Sequence, residues 1–309
     1  MADPEIVVVG GAYTDCMVRG SRLPAQGETV VGRTMLELPG GKGANQAVAA
    51  ARLGGNVAFI GKIGNDPRGD AIAEAFLREG VDIRYLWRSS QEPTGMCLVM
   101  EDERDKRLMM LGPAAAHALT IADVRNAASL IRSAKIVMVQ LEVSVEVVAE
   151  VMQLGWSAGA KIFFDPSPPL IFPDGLLRLV EVMKPDALEA RAITGCKVTD
   201  QQTAREAAQK LLAKGVKLVA IEAGNEGNLL VWKHGEHWLP RLPVQTCDRT
   251  GAGDAFAGAL AVAFAEGQGM IEAGNFASTA AALTTTRIGA RTALPTRRDV
   301  EEMMVQAFR

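Results

Sequence analysis

Short apolar runs alternate with longer amphipathic segments along most of the chain. Ile6–Val9 and residues 57–60, 136–141, 161–164 and 218–221 are brief, mostly aliphatic or β-branched, and bounded by turn formers. Runs this short that stay apolar at nearly every position predict strands buried on both faces. Between them, residues 44–53, 69–79, 145–154 and 203–213 repeat their apolar positions at the helical period. Strand and helix in alternation predict an α/β fold, a central and mainly parallel sheet with helices on both faces. A single domain over residues 1–309 accommodates the pattern. Beyond Gly251 the chain is rich in alanine and other small residues through Ala282, a composition suited to closely packed helices.

Two stretches interrupt the alternation. Residues 13–38 carry turn signals at Leu23-Pro24 and Gln26-Gly27. In residues 95–111 a charged tip, 101–107, separates two apolar runs and predicts a β-hairpin. A surface loop would waste the apolar residues of both stretches, so together they are expected to form a small β-sheet lid. An apolar sheet face open on a monomer is a liability that pairing of two subunits removes, so a homodimer through the lid is expected.

With 309 residues, 48% of them hydrophobic, the chain can bury a sizeable core. Its net charge of -3, with no basic run and no acidic tail, points away from nucleic acid as a partner. Cys16, Cys97, Cys196 and Cys247 are scattered and form no CxxC pair, which argues against a disulfide framework or a zinc site. The opening MADPEIVVVGG has an early acidic residue and a short apolar run, the mark of a first strand rather than a signal peptide. No apolar stretch is long enough to span a bilayer, so a soluble cytoplasmic protein without a membrane partner is expected. His117, His234 and His237 stand in no motif and are read as solvated or packing residues.

Three segments carry chemistry. In Asp248-Arg249-Thr250-Gly251-Ala252-Gly253-Asp254 a small-residue turn runs into a helix. Such a turn lets backbone N–H groups converge on an anion, and the helix N-terminus adds partial positive charge. An aspartate there repels a phosphate, yet makes sense as the base that takes a proton from a hydroxyl attacking the phosphoryl group. The plain alternative is an ordinary helix cap. Gly40-Gly41-Lys42-Gly43-Ala44-Asn45-Gln46 opens a second helix without matching a Walker A loop. Its glycines expose backbone amides, and Asn45 offers the donor and acceptor that sugar hydroxyls need. In Lys184-Pro185-Asp186-Ala187-Leu188-Glu189 two carboxylates share one face of a helix start. They complement the helix dipole or, beside a phosphate site, hold Mg²⁺ through water.

The second of these segments, with the helix that follows it, and the first, in this order and this far apart, resemble the ribokinase family of carbohydrate kinases. The likeness runs from Ile6 to about Pro295. It implies an ATP-dependent kinase that phosphorylates the primary hydroxyl of a pentose, with D-ribose the leading substrate. A nucleoside, pseudouridine, a deoxypentose or a keto-deoxy acid are alternatives, as is a sugar- or nucleotide-binding regulator that has lost catalysis. It further implies that Asp254 is the base and that Gly251, Ala252 and Gly253 form the anion hole. Tyr13 (where many members carry Asn), Asp15, Gly41, Lys42, Asn45 and Glu142 would contact the sugar. The nucleotide would meet Glu222, Ala223, Gly224, Asn225, Glu226, Gly227, Gly253 and Ser278. Asp186 and Glu189 would act on Mg²⁺ and phosphate. Asp248, Thr250, Thr284, Arg287, Gly289 and Ala293 match a K⁺ site beside the anion hole, several of them through backbone carbonyls. The departures at Tyr13 and at residues 114–116 fall on the sugar side. Those at Asp186, Glu222 and Arg249 fall near phosphate and nucleotide.

Overall fold

A computed structural model describes residues 3–307, apart from positions 105 and 225. Among the described residues nine strands form the main sheet. Their spatial order is Gly235–Pro240, Gly227–Trp232, Leu218–Glu222, Val180–Met183, Lys161–Asp165, Ile136–Gln140, Ile6–Val9, Val57–Gly64 and Asp82–Ser89. All neighbours pair in parallel from Leu218–Glu222 to Asp82–Ser89. The hairpin Gly227–Trp232 and Gly235–Pro240 adds an antiparallel edge. Side chains alternate across a strand, so Ile6 and Val8 join the core on one face and Val7 and Val9 the core on the other. That two-sided burial is why the run is apolar at every position.

Helices cover both faces. The helices Lys42–Arg52, Ala252–Ala265 and Met270–Thr284 pack on one side, and Val145–Ser157 and Gln201–Ala213 on the other. The small residues of Ala252–Ala265 let it lie tightly on Lys42–Arg52. A Cβ built on Gly258 would stand 2.8 Å from Ala49 Cβ and 2.9 Å from the Gln46 carbonyl. No described helix is long and apolar enough to cross a membrane.

The two interrupting stretches form a separate four-stranded sheet in the order Thr34–Gly40, Tyr13–Arg19, Met96–Glu101 and Arg107–Gly112. The last two strands are the expected hairpin, and residues 20–33 connect the first two without forming a strand. Met109 and Met110 are 70% and 73% exposed. Adjacent strand residues face opposite sides, so this sheet presents apolar surface on both.

Candidate active site

The functional side chains gather beyond the C-terminal ends of the parallel strands, where ligands sit in open α/β sheets. Two glycine turns meet there. Gly251 caps the helix Ala252–Ala265 with φ +82°, and a Cβ on it would stand 2.8 Å from the backbone of Ala290. Only glycine suits both constraints. Gly41 caps Lys42–Arg52 with φ +92°, its absent Cβ replaced by the Gly11 carbonyl.

Asp254 lies in the first turn of its helix and is buried. Its Oδ2 accepts from Asn45 Nδ2 at 2.9 Å and its Oδ1 from Gln46 Nε2 at 3.2 Å. Gln46 Nε2 also donates to Asp165 Oδ2 at 2.8 Å, while its Oε1 accepts from Gln140 at 2.6 Å. Burial pushes the Asp254 carboxyl above its ordinary value, and the neighbouring Lys42 ammonium opposes this. The Lys184 ammonium lies over the opening turn, 2.8 Å from where a Cβ on Gly253 would stand. Burial works against its charge, but Asp165, Glu189 and Asp254 hold its pKa above the ordinary value. Of the expected anion-hole amides, Ala252 N makes a 3.3 Å bond to the Arg249 carbonyl.

The expected sugar contacts converge beside Asp254. Lys42 N donates to Glu142 Oε2 at 2.7 Å. The Lys42 side chain is opposed by burial but held protonated by Asp165, Asp254 and Glu142. Burial raises Asp15 to about 6, with Arg291 opposing and Asp254 adding to the shift. Tyr13 departs from expectation. It is wholly buried, and its hydroxyl donates to the Glu142 backbone carbonyl at 2.7 Å. Its ring fills the space left by Gly11 and Gly95, so it braces the Glu142 turn and offers no aromatic face to a ligand.

A pocket on the other side of the opening turn is lined by Glu222, Gly227, Arg241, Gly253, Phe256 and Ser278, among others. Four of these were expected at a nucleotide; Arg241 and Phe256 were not. Three expected neighbours lie elsewhere. Ala223 is wholly buried, Gly224 lines an adjoining depression with Asp186, and the exposed Glu226 uses its carbonyl to accept from Arg241 N at 3.0 Å. Asn225 lies outside the described residues.

Asp186 and Glu189 form a capping box. Asp186 Oδ1 accepts from Leu188 N and Glu189 N, both at 2.8 Å, and Glu189 Oε2 accepts from Asp186 N at 2.7 Å. Each carboxylate keeps its second oxygen outside the box. No group of three or more His, Cys, Asp or Glu side chains among the described residues could hold a metal. The pair therefore fits Mg²⁺ held mainly by water and substrate phosphates, not a cage of protein ligands.

Of the side chains matching a K⁺ site, Asp248 and Thr250 are engaged with one another and with Arg107. Asp248 Oδ1 accepts from Thr250 N at 2.9 Å, Thr250 Oγ1 at 2.7 Å and Arg107 NH2 at 2.8 Å. Its Oδ2 accepts from Gly289 N at 2.9 Å. Arg107, on the small sheet, also donates to Thr250 Oγ1 and to Glu101. Burial raises Asp248, but these bonds bring it down to about 2. Thr284 spends its hydroxyl on Ala280 O at 2.9 Å within its own helix, Ala293 is buried and Arg287 is exposed. A guanidinium already neutralises the one carboxylate of the set.

A helix start opening on a glycine turn, an ammonium above it and a buried carboxylate held by Asn45 and Gln46 suit a phosphotransferase acting on a hydroxyl. The model of the pfkB family of carbohydrate kinases matches residues 3–297, and the chain belongs to that family. It is an ATP-dependent sugar kinase. It is 34% identical over 302 residues to a ribokinase of Haemophilus influenzae, covering 98% of this chain and 99% of that one. It is 33% identical to a ribokinase of Bacillus subtilis, covering 97% and 99%. The structure of Arabidopsis thaliana ribokinase complexed with ribose and ATP superimposes with a TM-score of 0.91 at 32% identity, covering 98% and 99%.

Glu142 gives a pH test of this site. Burial pushes its carboxyl from 4.5 up to about 8. The folded chain then holds this proton more tightly than the unfolded chain. Its contribution to stability is full below the unfolded pKa and is lost as pH rises through about 8. Thermal melting of the ligand-free protein should therefore weaken between mildly acidic and mildly alkaline pH. Glu142→Gln should flatten that decline by an amount on the order of a few kcal/mol. An unchanged slope in the variant would show that the Glu142 charge carries no such cost.

Proposed function

We propose that the chain transfers the γ-phosphoryl group of ATP to the 5-hydroxyl of D-ribose, with Asp254 as general base. The carrying observation is the Asp254 carboxylate, fixed by Asn45 and Gln46 at an anion-binding helix start and adjoined by Asp15, Lys42 and Glu142. The full-length likeness to ribokinases supports ribose as the acceptor.

In this reading Asp15 and Glu142 accept from the sugar hydroxyls, and the amides of the Gly41 turn border the ring. The nucleotide lies in the pocket lined by Glu222, Phe256 and Ser278, with its phosphates toward Gly253. Asp254 takes the proton of the attacking hydroxyl as the new O–P bond forms. Lys184 and the helix start offset the charge on the transferring group. Mg²⁺, near Asp186 and Glu189, would neutralise phosphate charge when bound. A nucleoside acceptor is less well supported, because the buried Tyr13 has no face on which a base can stack.

Turnover of a panel of D-ribose, 2-deoxyribose and nucleosides tests the acceptor, and Asp254→Asn tests the base. D-ribose should give the highest kcat/KM. Asp254→Asn should lower kcat by roughly 10²-fold or more while ATP binding persists. Preference for a nucleoside would overturn the acceptor, and near-normal turnover of the variant would overturn the base.

The Arg107 guanidinium takes over the charge that a monovalent cation would supply at Asp248, so activity should not depend on K⁺. Rates in K⁺ and in tetramethylammonium at equal ionic strength should agree within about twofold, the expectation when no transition-state interaction is lost. Severalfold activation by K⁺ would refute this.

The apolar surface on both faces of the small sheet supports a lid that covers the sugar on one side and pairs with a second copy on the other. Light scattering at micromolar concentration should return twice the chain mass. A monomer there would count against pairing.

A further inference from the structure

We propose that Arg291 is a positioning residue of the kinase reaction, setting the orientation of Asn45 and thereby of the Asp254 carboxylate, and bracing the backbone against which Asp15 rests. The guanidinium is buried. Its Nε donates to Asn45 Oδ1 at 3.1 Å and its NH2 to the Gly40 carbonyl at 2.6 Å. Asn45 in turn donates from Nδ2 to Asp254 Oδ2 at 2.9 Å. The Asp15 carboxylate packs directly on Gly40, where no side chain would fit.

The donor inventory gives this arrangement a direction. A guanidinium only donates, so whichever asparagine atom faces it must be the carbonyl oxygen. The amide nitrogen is then left for Asp254, which when ionised only accepts. Without Arg291 the Asn45 oxygen loses its donor, and the side chain is held at Asp254 by one bond about which it can swing. A neutral partner such as Gln140, which orients Gln46, can itself flip and imposes no such order. Arg291 is held in place from behind. Its carbonyl accepts from Arg52 NH1 at 3.0 Å, Arg52 is paired with Glu79 at 2.6 Å, and the guanidinium stacks 5.2 Å from the Phe76 ring centre. Its NH1 has no protein partner.

The charge acts on the same two carboxylates. Asp15 faces Arg291, Asp254 and Cys97, and Arg291 is the group that opposes the burial of Asp15. Asp254 faces Lys42, Lys184, Asp165, Glu142 and Asp15 as well as Arg291. Burial lowers the guanidinium itself to about 10, so it stays charged at neutral pH.

The inference rests on Asp254 being the base, a reading that Asp254→Asn tests separately in the wild-type background. The further test compares Arg291→Met and Arg291→Lys with wild type, using ATP, Mg²⁺ and D-ribose across pH. Arg291→Met should lower kcat by about tenfold or more, since misplacing a reacting group by an ångström is that costly. The sugar KM should rise while the ATP KM holds. The acid limb of the kcat/KM profile should move up by roughly half a unit or more, as two buried carboxylates lose a cation. Arg291→Lys keeps the charge but cannot span two acceptors, so it should restore the acid limb and leave kcat low. A lowered folded fraction alone would scale the rate and leave the acid limb in place, which would overturn the proposal. So would wild-type kcat and pH profile in Arg291→Met. If that variant does not fold, Arg291→Lys combined with Asn45→Ala decides. Losses in kcat that fail to multiply place both residues on one path, and losses that multiply independently refute it.

Discussion

The active site depends on how closely two helices can approach. The helices Lys42–Arg52 and Ala252–Ala265 meet where Gly258 lies against Ala49 and the Gln46 carbonyl. That contact brings two glycine turns, more than two hundred residues apart in the chain, to the same end of the sheet. It places consecutive amides, Asn45 and Gln46, on the two oxygens of Asp254. A larger residue at Gly258 would separate the helices and widen the donor–acceptor distances at the carboxylate. Hydrogen bonds weaken quickly with such stretching, so packing far from the reacting atoms sets the geometry at them.

Within that frame, charge is crowded. Asp15, Glu142, Asp165, Glu189 and Asp254 share a small volume with Lys42, Lys184 and Arg291. Burial alone would neutralise most of the carboxyls. Interleaved cations keep the arrangement polar, and the unpartnered Asp165 Oδ1 and Arg291 NH1 show that it is not fully satisfied by the protein itself. Sites built to receive charged and hydroxylated substrates hold such unmet capacity in advance, at some cost in stability.

Much of this was legible along the chain, and what was not has a physical reason. Ile6–Val9 was plain because a strand buried on both faces must be apolar throughout. Asp82–Ser89 was not, because at the edge of the sheet it carries Arg84 and Arg88 without penalty. Val180–Met183 was not, because Glu181 breaks its apolar run. The glycine turns with Asp254 and Asn45 declared themselves by composition. Lys184 stood within a noted segment, but its approach to Gly253 is a matter of three dimensions. Asp165 had one available signal, a carboxylate ending an otherwise apolar strand at the sheet's C-terminal side. Arg291 reaches Asn45 across 246 positions, and no local pattern marks a side chain that acts over such a separation. Tyr13 is expected at the sugar and instead packs beneath the Glu142 turn, because the burial of a side chain is invisible in sequence.

The bond from Arg107 to Asp248 joins the small sheet to the turn that precedes the anion hole. Moving the small sheet away from that turn must stretch or break a charge-assisted contact to the Asp248 carboxylate. Were a ligand to draw the small sheet inward and firm that turn, an anion at the turn would favour the same movement, since linkage is reciprocal. One arginine spanning the boundary between two sheets would suffice for such a link, without a second subunit.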